Sequence, residues 1–242
     1  MKKILILGAN SDIAKECANI WKLRNEQLFL VGRNNDNLKK IAIDLKIENK
    51  FILQADLSEI NNHEEIFNKA ISAMNGLDFV LISYGVLSEQ KKCETDVQLA
   101  LKDININSLS VISFLTIMAN FFEKQRSGKI AVITSVAGDR GRSSNYLYGC
   151  SKAMISTFLS GLRQRLFKYN IKVIDIKPGL VSTKMTKNFK KNILWSDPKI
   201  IGKKIVKIID LGKEVTYLPS FWFYLMFLIK IIPLKIFKRL KF

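Results

Sequence analysis

Ser135, Tyr148 and Lys152 are the residues whose types and spacing offer the clearest chemistry in this sequence. The serine precedes the tyrosine by thirteen residues and the lysine follows it by four. Positions i and i+4 share a helix face, so a helix through Tyr148 and Lys152 sets an ammonium beside a phenol. A nearby cation favours the phenolate form of a group whose free pKa is about 10. Such a set can pass a proton to or from an oxygen that the serine hydroxyl holds. Taken singly, each residue has a plainer role: a helix-surface aromatic, a solvated cation, a strand-end hydroxyl.

These side chains need a frame, and the apolar pattern supplies one. Lys3 to Gly8 is a short apolar run closed by glycine, the mark of a strand buried on both faces of a parallel sheet. A helix follows with Ile13, Cys17, Ile20 and Trp21 on one face and Ser11 or Asp12 as its cap. Further strands are predicted at Leu28 to Val31, Phe51 to Leu53, Phe79 to Ile82, Lys129 to Thr134, Ile171 to Ile176 and Val215 to Leu218. Helices are predicted between them, including a longer one from Val97 to about Glu123, one carrying Tyr148 and Lys152 to about Phe167, and one from Pro198 to Leu211. Strand and helix alternating at this rhythm predict one α/β domain, a Rossmann fold with a doubly wound parallel sheet. Residues 1–218 form that domain in this reading, and 219–242 form a basic, aromatic C-terminal segment.

Composition removes other classes. The lone histidine, His63, excludes Ser-His-Asp triads and multi-histidine metal sites, and Asn62 with Glu65 reads as a capping box at a helix start. Cys17, Cys93 and Cys150 are too scattered for a disulfide framework or a zinc site and fit a reducing cytoplasm. The apolar run after Met1-Lys2-Lys3 is too short for a signal peptide. Net charge is +18, and from Lys184 onward fourteen Lys/Arg face three Asp/Glu, so +11 of it lies in the last quarter. That asymmetry, without a nucleic-acid-binding motif, predicts an anionic membrane surface as partner rather than DNA or RNA.

The first strand opens into Gly8-Ala9-Asn10-Ser11-Asp12-Ile13-Ala14, where a nucleotide-binding fold sets its phosphate loop against a helix N-terminus. Asp12 brings negative charge to that loop unless it turns inward to cap the helix. The second strand ends at Val31-Gly32-Arg33, and an arginine there can pair with a 2′-phosphate. NADP(H) is therefore preferred and NAD(H) stays open; the alternative for Arg33 is a solvated loop cation.

Gly8-x-x-x-Asp12-Ile13-Ala14, Ala55-Asp56-Leu57, Ser83-Tyr84-Gly85, Asn105, Ser135, Tyr148-x-x-x-Lys152 and Pro178-Gly179 together resemble the short-chain dehydrogenase/reductase family, from Ile4 to about Met185. The resemblance implies a seven-stranded Rossmann sheet, an NAD(P)-dependent oxidoreductase acting on CH–OH or C=O, and a homo-oligomer. It makes Tyr148 the acid, Lys152 the cation that tunes it, Ser135 the carbonyl's hydrogen-bond donor and Asn105 the holder of a relay water. It assigns cofactor contacts to Gly8, Asn10, Ser11, Asp12, Ile13, Arg33, Asp56, Leu57, Ser83, Tyr84, Gly85, Tyr148, Lys152, Pro178, Gly179, Val181 and Thr183. No metal is implied. Leu7-Gly8 and Ser83-Tyr84-Gly85 depart from the family's usual Thr-Gly and Asn-Ala-Gly.

The stretch from Ser135 to Tyr148 and the basic tail resemble one branch, the polyprenyl-phosphoryl-pentose 2-keto reductases, which implies a lipid-linked keto-sugar substrate and a partner oxidase that makes it. Arg140 and Arg142 are candidates for the substrate phosphate, or are solvated loop arginines. Ser220 to Ile229, too short an apolar run to span a bilayer, suits a segment lying in the membrane interface, with Lys230, Lys235, Lys238, Arg239 and Lys241 towards anionic lipid. A dimer interface or a lid is the alternative. The enzyme is then expected at the cytoplasmic face of the membrane, with a reductase of another lipid-like ketone or a non-catalytic dinucleotide sensor as the competing functions.

Overall fold

The first strand, β1 (Lys3–Leu7), is buried on both sides: Ile4 and Ile6 enter one apolar cluster, Leu5 and Leu7 the other. Every neighbouring strand does the same, because a parallel sheet with helices on both faces has no wet side. In the computed structural model, residues 1–240 are described; Lys241 and Phe242, the end of the expected basic segment, lie outside them. After β1 come α1 (Asp12–Leu23), β2 (Gln27–Gly32), α2 (Asn35–Asp44), β3 (Ile52–Gln54), α3 (His63–Met74), β4 (Phe79–Ile82), α4 (Gln90–Thr95) and α5 (Val97–Ile104). A π-helical turn over Asn105–Leu109 leads into α6 (Ser110–Gln125), β5 (Gly128–Ile133), α7 (Tyr146–Leu166) and β6 (Ile171–Pro178). The chain continues through α8 (Pro198–Leu211), β7 (Val215–Leu218), α9 (Phe221–Ile231) and α10 (Leu234–Phe237).

The seven strands are all parallel in the order β3-β2-β1-β4-β5-β6-β7. This is the doubly wound Rossmann sheet, and the order reverses between β1 and β4, where such sheets open a crevice beyond their strand C-termini. Helices α1, α2 and α8 cover one face through residues such as Cys17, Trp21, Leu38 and Ile205. Helices α3, α6 and α7 cover the other through Phe67, Phe114, Phe122 and Leu159.

The long helix predicted from Val97 is present to Gln125 and carries a π turn within it, where the Ser110 hydroxyl donates back to the Ile106 carbonyl at 2.9 Å. One local expectation is corrected. Asn62 precedes α3 without a side-chain cap bond, because His63 turns inward: it stacks on Phe114 and its ring nitrogens meet the Ser113 hydroxyl and the Leu57 carbonyl.

Candidate active site

Ser135 leaves the C-terminal end of β5 with extended backbone, and its Oγ accepts from the Ala137 N–H at 3.1 Å, which aims the hydroxyl. Helix α7 starts three residues beyond Ser143, and its register puts Tyr148 and Lys152 on the face towards β5. The Ser135 hydroxyl hydrogen-bonds the Tyr148 phenol, and Lys152 Nζ lies 5.6 Å from the Tyr148 ring centroid. Lys152 Nζ donates to the Ile133 carbonyl at 3.2 Å. Burial raises the Tyr148 phenol to about 12, opposed by the Ser135 hydrogen bond. Burial lowers the Lys152 ammonium to about 8, opposed by the buried carboxylate of Asp175. The lowering of the phenol by Lys152 expected from the spacing is therefore not seen here: desolvation is the largest influence on both groups.

Asn105 does not reach this cluster. Its amide donates to the Ser58 carbonyl at 3.1 Å, on the far side of the π turn. Asn107 takes the place by Lys152: its amide clasps the Val86 backbone, accepting at 2.8 Å and donating at 3.0 Å. A Cβ added to Gly85 would stand 2.5 Å from Asn107 Oδ1 and 3.7 Å from Lys152 Nζ, so glycine there lets the β4 loop pass between them.

Behind Ser135 lies a set of buried charges that the sequence did not disclose. Asp139 accepts from Lys177 Nζ and from the Tyr217 hydroxyl, each at 2.6 Å. Lys177 also lies 3.9 Å from Asp175, which accepts from Thr134. Arg140 is a correction to the substrate reading. Its guanidinium donates to the carbonyls of Ile229, Lys230 and Ile232 and stacks 3.7 Å from the Phe237 ring centroid, so it closes the C-terminus of α9. Arg142 differs: its Nε is buried with no hydrogen-bond partner among the described residues, and burial alone pushes its guanidinium down.

The crevice at the β1 end has the form a dinucleotide needs. Gly8 adopts φ +88°, and a Cβ there would meet Tyr84 Cβ and the Ser83 carbonyl group at 2.7 to 2.8 Å. Only glycine turns the chain off β1 at that point. Ser11 is the N-cap of α1 but makes no side-chain cap bond, which leaves the first-turn N–H groups of Asp12, Ile13 and Ala14 for an external anion. Asp12 neither caps the helix nor faces the loop uncompensated: its carboxylate accepts from the Lys184 N–H at 2.7 Å and pairs with Lys184 Nζ at 3.8 Å. Asn10 is latched to Asn34 by two hydrogen bonds, and Ser83 donates to Ser11 at 3.1 Å. Arg33 is exposed just past β2, near Asp56, whose carboxylate is held low by hydrogen bonds from Ser58 and by Arg33.

Three expected cofactor residues offer only backbone. Ile13 and Leu57 bury their side chains in the two clusters, and Tyr84 turns inward to bond the Ser110 hydroxyl at 3.0 Å. Pro178 ends β6, Gly179 bonds back to Leu218, and Val181 bridges Ser196. Thr183 is committed to a reciprocal capping box with Thr186.

The short chain dehydrogenase family model matches residues 2–194. An uncharacterized oxidoreductase of Mycobacterium tuberculosis is 26% identical over 219 residues, covering 89% of this chain and 88% of that one. One from Staphylococcus epidermidis is 29% identical over 185 residues, covering 76% and 80%. The short-chain dehydrogenase from Sphingobium yanoikuyae, solved in complex with NADPH, superposes with a TM-score of 0.81 at 20% identity over 97% of each chain. ElxO, solved with NADP bound, gives the same TM-score and identity over 93% of this chain and 100% of its own. With the family match spanning most of its length and the fold shared end to end, this chain belongs to the short chain dehydrogenase family of oxidoreductases.

Proposed function

We propose that the chain is an NADP(H)-dependent carbonyl reductase whose substrate is a keto sugar carried on a polyprenyl phosphate. The observation that carries the reductase reading is the convergence of Ser135, Tyr148, Lys152 and Asn107 at the strand ends beside the dinucleotide crevice. A nicotinamide held in the crevice would supply the hydride. Ser135 donates a hydrogen bond to the carbonyl oxygen and fixes its position. As the C=O π bond breaks, its electron pair moves to oxygen, and the Tyr148 hydroxyl gives that oxygen its proton. Lys152 offsets the phenolate charge that remains. Exposed Arg33 suits the 2′-phosphate and supports NADP(H) over NAD(H).

Two features support the substrate. Arg142, partly buried with no carboxylate in ion-pair distance among the described residues, lies in the loop between Ser135 and Tyr148, where a phosphate would relieve its desolvation. The apolar α9 cluster includes Val136, the neighbour of Ser135, so the catalytic loop borders a surface suited to a lipid chain. The keto sugar itself would come from a partner oxidase acting on the parent alcohol. NADPH consumption measured against lipid-linked keto sugars and 3-oxoacyl thioesters tests the reading. Turnover of the sugars well above the thioesters is expected; the reverse order overturns the substrate, and no turnover of any ketone overturns the reductase.

A further inference from the structure

Helix α9 is apolar on both faces up to Lys230 in its last turn, and only half of it is covered. Trp222, Met226 and Ile229 point inward, with the Trp222 indole filling the space that a Gly179 side chain would need. Phe223, Tyr224, Phe227, Leu228 and Ile231 point outward and are 51 to 69% exposed. A helix with apolar residues on both faces is normally enclosed. This one has eleven residues, a length of about 16 Å, too short to cross a bilayer.

We infer that the outer face of α9 lies in the interface of an anionic lipid bilayer, with the cations that follow it on the headgroups. Lys230, Lys235, Lys238 and Arg239 are exposed, and among the described residues none has a carboxylate within ion-pair distance. From Pro219 to the end of the sequence there is no Asp or Glu. Charge selects the occupant. A two-fold contact between copies would bring this segment against itself, cation against cation with no acid to pair. Anionic headgroups instead complement every charge on it, and aromatic residues suit the interfacial layer.

The face is held rigid and continues beyond the helix. Arg140 ties the last carbonyls of α9 to the loop after Ser135. Leu194, from the loop after β6, packs on the same cluster, and that loop exposes Phe189 and Ile193 next to Lys190 and Lys191. Docking through this face would set the catalytic loop against the bilayer surface. The inference goes beyond the reductase reading and does not depend on it.

The test is co-sedimentation of the full chain with phosphatidylcholine vesicles, with and without phosphatidylglycerol, over a salt series. Binding to the phosphatidylglycerol vesicles at low salt is expected, with most of it lost at high salt. Phe227→Glu/Leu228→Glu should lower the bound fraction about tenfold with the melting temperature held. Lys235→Glu/Lys238→Glu, at exposed positions, should abolish the preference for phosphatidylglycerol even if the first variant folds poorly. Wild type left in the supernatant, equal binding to both vesicle types, or apolar-face and charge-reversal variants that sediment like wild type would each overturn the inference. So would a wild-type dimer, without vesicle binding, that Phe227→Glu/Leu228→Glu converts to monomer.

Discussion

At the scale of single residues, the site is governed by desolvation. Tyr148 rises to about 12 and so carries its proton at neutral pH, the form a general acid needs. Lys152 falls to about 8, so it is charged at pH 7 and loses its proton as the pH rises past that value. The direction of the rate effect follows: deprotonation removes the charge that offsets the phenolate. For carbonyl reduction, kcat/KM should be level below about pH 8 and fall about tenfold per pH unit above it. Lys152→Arg, which stays protonated, should remove that break even if its rate is lower; a wild-type profile flat to pH 10 would refute the assignment. Asn107 and Asn105 give a second contrast. Asn107→Ala should cut kcat by at least about tenfold, whereas Asn105→Ala should leave it within about threefold, since only Asn107 stands beside Gly85 and Lys152. Equal losses in steady-state assays would reject the exchange of roles. A signal for Asn107 was present in the sequence: it lies four residues before Val111 and seven before Phe114, on the row that α6 buries. Asn105 lies off that row, but a motif matched by order alone concealed the difference.

Among the elements, the junction of α9 with the loop after β5 shows what long-range contacts add. Arg140 and Arg142 are two residues apart and indistinguishable by type, yet one closes a helix C-terminus and the other has no partner for its Nε among the described residues. Cations are favoured at helix C-termini, and hydrogen bonds from a charged donor are each worth about 1.5 to 3 kcal/mol. Arg140→Ala should therefore lower unfolding stability by about 2 kcal/mol, read from denaturant midpoints, with KM for a phosphorylated ketone little changed. Arg142→Ala should raise that KM about tenfold and leave the midpoint nearly fixed. The opposite pattern would restore Arg140 to the substrate. The strands and most helices were legible because their signals are local: apolar runs such as Phe79–Ile82, the Asp197-Pro198 start of α8 and its glycine stop at Gly212. The Asp139–Lys177–Tyr217 set was not, since its members come from a loop, β6 and β7 and meet only when the sheet is assembled.

For the whole molecule, the strand order decides where a ligand must bind and how much of the fold it holds. Gly8 and Ser83 directly follow β1 and β4, the two strands between which the strand order reverses, and the Ser83–Ser11 bond crosses that divide. Arg33 and Asp56 stand on the β2–β3 side of it, Tyr148 and Lys152 on the β5–β6 side. A dinucleotide lying along the crevice would touch both halves, so its binding energy stabilises the folded chain as a unit rather than one edge. A ligand at a hundredfold excess over its Kd that binds only the folded state adds about 2.7 kcal/mol. For a domain of this size that is a rise in melting temperature of about 5 to 10 °C. NADPH should produce that rise, and NADH at the same concentration a smaller one, because only the former brings a phosphate to Arg33. Arg33→Asp should invert the order, since its carboxylate repels the 2′-phosphate and accepts from a free 2′-hydroxyl. Thermal melts of both proteins with each nucleotide measure this directly. Equal shifts for NADPH and NADH in the wild type would remove Arg33 from cofactor selection, and no shift with either would show that the crevice does not hold a dinucleotide.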